Sequence, residues 1–251
     1  MKTIHEIKKE FAAAKERDHQ NLYEIYGDDH RAGVKAVIEK CKREDEKIEK
    51  ERRRIETMKS YEYQYEHLDY ICGIDEVGRG PLAGPVVAGA VILPKGCSIL
   101  YLNDSKQLSA KKREELYERI MKEAIATGIG YGSPARIDEI NILQATYEAM
   151  KEAVKNLPVQ PELLLVDAVK IPDVSISQVP IIKGDEKSIS IAAASIIAKV
   201  TRDRLMEKYD GLLPAYGFAN NKGYGSASHM EALKRVGASP IHRKTFIKNI
   251  I

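Results

Sequence analysis

Apolar residues recur along this chain in different rhythms, and each rhythm predicts a different kind of element. Up to about residue 68 they are sparse and helically spaced. IHEIKKEFAAAKER reads as one helix, a break falls around Tyr26 to Asp29, and a long charged run extends from about Ala32 to Glu66. That run carries Val34, Val37, Ile38, Cys41, Ile48, Ile55 and Met58. The spacings from Ile38 to Cys41, Ile48, Ile55 and Met58 are compatible with one narrow seam, and the opposite charges interleaved around it supply i,i+4 pairs. From Ile71 onward, short apolar runs bounded by Gly and Pro take over: ICGI at 71–74, VVAGAVIL at 86–93, LLLV at 163–166 and VPIIK at 179–183. These read as buried strands, with Gly130 to Ser133 as a further short one.

Helical periodicity fills the gaps between the strands. Ser109 is placed to cap KKREELYERIMKEAIATG, which closes at Gly128, and Asp138 opens a helix through Asn156 that Pro158 and Pro161 end. KSISIAAASIIAKVTRDRLMEKY is a third helix, and its small residues Ala192 to Ser195 permit close packing on a sheet. The tail is a Gly- and Tyr-rich loop, AYGFANNKGYGSASH, then a short helix and SPIHRKTF. Strands clustered first and then alternating with helices imply an α/β domain with a mixed sheet over 69–251. Residues 1–68 form a helical, charged N-terminal extension.

Composition narrows the setting. At 251 residues and 28.1 kDa, with 43% hydrophobic residues, the chain has enough apolar surface for one sizeable domain plus an appendage. Cys41, Cys72 and Cys97 form an odd, scattered set without CxxC, which argues against a disulfide framework or a thiolate metal site. The N-terminus has no apolar leader-like core, and no run approaches the ~18 apolar residues of a membrane span, so a soluble, cytoplasmic protein is expected. Net charge is +3, but residues 71–251 hold 24 Lys+Arg against 20 Asp+Glu. A surplus of bases around an acidic centre suits a polyanionic substrate.

The acidic centre begins at ICGIDEVGRGPLAGP, 71–85, where Asp75 and Glu76 end a strand on opposite faces and Gly78, Arg79 and Gly80 follow. Alone, such a stretch is more commonly a Gly/Pro turn with two solvated acids. Here Asp167 and Asp185 also end predicted strands, so carboxylates converge on one rigid edge. Such an oxygen-rich set suits Mg²⁺ or Mn²⁺ rather than Zn²⁺. Asp203 and Asp104 compete with Asp185 as the fourth acid; Asp203, between Arg202 and Arg204, reads better as an ion-pair partner, and Asp104 as the organiser of its own loop.

GIDEVGRGPLAGP at 73–85, NDSKQLS at 103–109, LLLVDAV at 163–169, KGDEKSISIAAASIIAKVTRDR at 183–204 and NKGYGSASHMEAL at 221–233 resemble, in order, the type 2 ribonucleases H, specifically bacterial ribonuclease HII. Residues 1–68 resemble the N-terminal extension some bacterial members carry. The resemblance implies a ribonuclease H-like fold with a mixed five-stranded sheet flanked by helices. It implies cleavage of the RNA strand in RNA/DNA hybrids and incision 5′ to single ribonucleotides embedded in duplex DNA, leaving a 3′-hydroxyl and a 5′-phosphate. Asp75, Glu76, Asp167 and Asp185 match the family's catalytic metal ligands. Gly78, Arg79 and Gly80 match the motif that senses the ribose 2′-hydroxyl, and Tyr224 the tyrosine that stacks on the neighbouring deoxyribose. Lys106, Ser188, Lys199 and Arg202 stand at motif positions expected to contact phosphate, while His229, His242 and Arg243 are open to either substrate contact or a structural role. No obligatory protein partner is expected, and a monomer is the default. The rival within the superfamily is a type 3 ribonuclease H acting mainly on long hybrids; outside it stand a glycine-rich nucleotide-binding module, which lacks GxGxxG spacing, and a non-catalytic nucleic-acid-binding protein.

Overall fold

A computed structural model describes all residues, Met1–Ile251, as two units, Met1–Glu56 and Thr57–Ile251. In the first, α1 (Ile4–Ala13) opens with a capping box in which Thr3 and Glu6 satisfy each other's backbone N–H groups. A 3-10 turn leads into α2 (His19–Tyr26), and the long α3 begins at Ala32 and runs to Met58. Ile7 and Phe11 meet Val34, Ile38 and Cys41 in a small core edged by Leu22, Tyr23 and Tyr26. The solvent side of α3 carries i,i+4 pairs such as Lys40–Glu44, Glu39–Arg43 and Glu49–Arg53, as the charge pattern predicts.

In the second unit, α4 (Ser60–Gln64) precedes β1 (Ile71–Val77), β2 (Val86–Ile92), α5 (Ala110–Glu123), β3 (Ala126–Gly132), α6 (Pro134–Lys155), β4 (Leu163–Asp167) and β5 (Ser177–Ile181). There follow α7 (Gly184–Lys187), the buried α8 (Ile189–Leu212), α9 (Phe218–Asn221), α10 (Ala227–Val236) and α11 (Lys244–Ile247). The sheet order is β3-β2-β1-β4-β5, antiparallel across the first three strands and parallel from β1 to β4 to β5. This is the mixed five-stranded sheet expected. Residues 57–68, read from sequence as part of the extension, lie in this unit: Tyr61, Tyr65 and Leu68 pack on Leu163, Leu165 and Ile191. No helix is long and apolar enough to cross a membrane.

Element boundaries differ from the pattern where small residues replace large ones. β3 begins at Ala126, not Gly130, and α5 stops at Glu123. The inward positions of β3 are Ala126, Gly128, Gly130 and Gly132, so the strand lacks the large apolar residues that mark its neighbours. α6 starts at Pro134 behind the Ser133 cap and is interrupted at Asn141 (φ 70°, ψ 166°), whose Oδ1 accepts from the N–H groups of Leu143 and Gln144 and so restarts the helix. β5 spans Ser177–Ile181, two residues earlier than read, because Lys183 turns left-handed (φ 57°).

Helices cover both faces of the sheet. Cys72 and Ile74 of β1 face the α6 side with Val86, Ala88, Ala90, Ala145, Ala149 and Met150. Alternation sends Gly73 and Asp75 to the α8 side. There the helix backbone lies so close that a Cβ on Gly73 would sit 2.0 Å from the Ser190 carbonyl carbon, and one on Gly89 2.5 Å from Ala194 O. Gly73→Ala should therefore destabilise the unit by about 3 kcal/mol, because backbone rather than a side-chain tip must move. Urea unfolding measures this, and a loss below about 0.5 kcal/mol would mean that α8 is not seated as described.

Candidate active site

The parallel register of β1 on β4 pairs Ile74 with Val166, so the next residue of each strand, Asp75 and Asp167, reaches the same edge of the sheet. Asp75 is buried; its Oδ1 accepts the Glu76 N–H at 2.7 Å, and the Ser195 hydroxyl of α8 lies near enough to favour its charged form. Ser195 in turn meets Ser105 Oγ at 2.9 Å, tying α8 to the loop before α5. Asp167 Oδ1 accepts the Gly184 N–H at 2.7 Å. That bond docks the turn carrying Asp185, which is 9% exposed at the start of α7. Glu76, largely covered, faces Arg79 Nη1 at 3.4 Å.

The electrostatics show how closely these groups act on one another. Burial first, then the charges of Glu76 and Asp167, push Asp75 well above the ordinary carboxylate range, against the opposing bonds from Ser195 and the Glu76 amide. Burial also raises Glu76, which Arg79 only partly offsets. Asp185 is pushed up to about 6 by burial and by Asp104 and Asp167. Lys106 lies within this field: burial works against its charge, but Asp104, Asp75 and Asp185 outweigh that and hold its ammonium above the usual lysine range. All donors at the edge are oxygen, crowded and partly desolvated, a set that favours a hard divalent cation over its own negative charge.

Beside the acids lies the loop 78–85. Gly78 has φ 89°, and a Cβ there would collide with Arg202 Nε at 2.2 Å. Gly80 borders the Tyr224 ring, whose Cε1 would lie 3.9 Å from a Cβ on Gly80; the Tyr224 side of this pair is 45% exposed. The structure thus brings Gly80, Tyr224, Arg79, Lys106 and the acids to one region. Asp104 caps the turn at Ser105–Gln107 through the Lys106 N–H, and Asp203 pairs with Lys199 at 2.8 Å, each in a local structural bond.

Ser188 and Arg202 are placed elsewhere than on an exposed phosphate path. Ser188 is fully buried at the start of α8, donating to Glu62 Oε1 at 2.6 Å and accepting the Ile191 N–H. Arg202 is fully buried and donates to the carbonyls of Pro85, Lys222 and Ala83 at 2.9, 2.8 and 3.1 Å. Lys199 spends its ammonium on Asp203, with both side chains 14% exposed. The sequence patterns for helix capping and for phosphate contact use the same residue types, so only burial separates them.

The residues that shape the loop 78–85 are ones the sequence left open. Arg243 is fully buried and donates to Gly78 O at 2.5 Å, Arg79 O at 2.8 Å and Gly84 O at 2.8 and 2.9 Å. Burial and the nearby Arg202 lower its pKa, so these carbonyls are what keep the charge in place. His229 and His242 form a proton-ordered pair. His242 Nδ1 accepts the Ser239 N–H at 2.9 Å, so its Nε2–H donates to His229 Nε2 at 3.0 Å, and His229 Nδ1–H donates to Tyr224 O at 2.8 Å. Burial lowers both imidazoles, His242 to about 4, in keeping with two neutral rings. No spacing rule marks two histidines 13 residues apart as a backbone clamp.

Two outcomes follow. An acid whose pKa is raised on folding binds its proton more tightly in the native state, so its contribution to stability falls as pH rises from 3.8 towards about 6. Asp185→Asn should therefore stabilise the metal-free protein by about 1–2 kcal/mol at pH 7.5, after allowance for solvent screening, and by nothing below pH ~3.5. Urea titrations in a chelating buffer at the two pH values read this difference. Arg243→Met should expose the amides of 78–84 to faster hydrogen exchange and cost about 3 kcal/mol or more, because three buried carbonyls lose their donors; unchanged exchange in that loop would show that it holds its shape unaided.

Family models place the chain among known proteins. The model described as ribonuclease HII matches residues 72–249, and that of the ribonuclease HII N-terminal domain matches residues 3–66. Ribonuclease HII of Lachnoclostridium phytofermentans is 63% identical over 98% of this chain and 97% of its own length. Ribonuclease HII of Clostridioides difficile is 49% identical over 100% and 99%. Among solved structures, ribonuclease H2 of Pyrococcus horikoshii superposes with a TM-score of 0.58 at 28% identity, covering 72% of this chain and 96% of that one. With matches to both parts of the chain and relatives that run its whole length, this protein belongs to the ribonuclease HII family of endoribonucleases.

Proposed function

We propose that the protein cleaves the RNA strand of RNA/DNA hybrids and incises duplex DNA 5′ to a single embedded ribonucleotide, leaving a 3′-hydroxyl and a 5′-phosphate. The observation that carries this reading is the adjacency, on one sheet edge, of the crowded buried acids and the Gly80–Tyr224 surface. Asp75, Glu76, Asp167 and Asp185 would hold Mg²⁺ or Mn²⁺, whose all-oxygen preference their side chains meet. When bound, such ions supply an activated water and neutralise charge on the leaving 3′-oxygen.

The chain's own residues do the rest. The Glu76 amide orients the Asp75 carboxylate and the Gly184 amide orients Asp167, so both acids are fixed before substrate arrives. Lys106, charged and facing the acids, is placed to meet the phosphate entering beside them. The backbone of Gly78, Arg79 and Gly80 would meet the ribose, whose 2′-hydroxyl both donates and accepts hydrogen bonds, and the exposed Tyr224 ring would cover the following sugar. Arg202, Arg243, His229 and His242 act one layer behind, holding that backbone through its carbonyls.

Cleavage mapping on a duplex with one ribonucleotide, beside a continuous hybrid, tests the reading. In Mg²⁺ the cut should fall 5′ to the ribonucleotide. Tyr224→Ala should reduce that incision roughly tenfold or more, by loss of a stacking contact, while affecting the continuous hybrid much less. Asp75→Asn should abolish both while leaving substrate binding. Efficient cutting of the hybrid with none at the single ribonucleotide would instead support type 3 behaviour.

A further inference from the structure

The N-terminal unit holds a second constellation, separate from the acids. His19 opens α2, while Cys41 and Asp45 stand four residues apart on one face of α3. Asp45 Oδ1 lies 2.8 Å from His19 Nδ1, and Cys41 Sγ lies 3.3 Å from the same nitrogen and 3.8 Å from Nε2. One ligand atom from each residue falls within 4.8 Å of the others. The Tyr23 hydroxyl donates to the remaining oxygen of Asp45 at 2.6 Å.

Without a metal, the His19 ring meets Asp45 through Nδ1, and the Cys41 sulfur, 3.3 and 3.8 Å from the two ring nitrogens, lies beside the ring and off the axis of either lone pair. A turn of the His19 ring would let a cation take the place of the Nδ1 proton and draw on all three ligand atoms, which already lie within 4.8 Å of one another. We propose that His19, Cys41 and Asp45 bind a Zn²⁺ ion in the N-terminal unit, a site the cysteine spacing argued against because only one of its ligands is a cysteine and the others come together only in the fold.

Several features support that assignment. A nitrogen, a sulfur and a carboxylate oxygen are the ligand types zinc takes, whereas Mg²⁺ and Mn²⁺ would reject the thiolate. Tyr23 steadies Asp45 from outside, as second partners of metal-bound carboxylates do. A cavity of about 290 Å³ reaches His19 and Cys41 past Lys8, Lys40 and Glu44, giving an entry path and room for water as a fourth ligand. The unit also has use for a staple: its buried core is Ile7, Phe11, Val34, Ile38 and Cys41, small for Met1–Glu56 to rely on alone. The proposal does not depend on the substrate reading above.

The test uses the full chain, stripped of metal and titrated with Zn²⁺ against a chromophoric chelator, with Co²⁺ as a spectroscopic substitute. Expected are one tight site per chain, a thiolate-to-cobalt charge-transfer band, and a rise in the unfolding temperature of the extension on adding Zn²⁺. Cys41→Ser should remove the band and weaken Zn²⁺ roughly a hundredfold or more, as should His19→Ala and Asp45→Asn, whereas Asp75→Asn should leave this site intact. Circular dichroism confirms that each variant keeps its helices. The proposal is overturned if the unaltered, folded chain gives no thiolate–cobalt band, or if tight Zn²⁺ binding survives Cys41→Ser and is lost with Asp75→Asn.

Discussion

The close seating of α8 on β1 and β2 is the constraint on which the catalytic unit rests. Glycine at 73 and 89 removes the side chains that would hold the helix off, and α8 answers with alanine and serine along the buried turn. At that distance a serine of the helix comes close to a strand-end acid: Ser195 bonds Ser105 Oγ and lies near enough to Asp75 to favour its charged form. Two turns further on, Arg202 is close enough to bond the carbonyls of the loop that leaves β1. One helix therefore sets both the acids and the loop beside them, and a wider spacing would uncouple the two.

The same packing leaves the unit with charge that folding alone does not favour. Asp75, Glu76 and Asp185 are each driven above their ordinary range by burial and by neighbouring carboxylates, Asp167 among them in every case. Hydrogen bonds from backbone amides fix where the carboxylates point without supplying a full positive charge, and Lys106 supplies only one. Strain of this kind is what a cation bound as proposed would convert into affinity. With a cation held there as proposed, stability and cation affinity would draw on the same electrostatic energy, in opposite directions.

Much of this was legible in the residues. The strands at 71, 86 and 163, the acids at their ends and the small-residue face of α8 all follow from apolar runs, breakers and residue size. β3 was not, because its inward positions are Ala and Gly, which carry no hydrophobic signal. Ser188 and Arg202 also misled: a serine or arginine within a basic motif reads as a phosphate contact, and nothing local reveals that both are wholly enclosed. The clamp formed by Arg243, His229 and His242 was least visible of all, since its partners are backbone carbonyls, which leave no trace in residue type.

That clamp has a consequence for how the protein comes into being. Gly78 is held by a residue 165 positions further along the chain. During synthesis β1, β4 and α8 are all complete before Arg243 is added, so the carbonyls of Gly78 and Arg79 receive this donor only after the residues of the acidic edge are in place. On the proposed reading of that loop, discrimination between ribose and deoxyribose would be completed later in synthesis than the acidic edge itself.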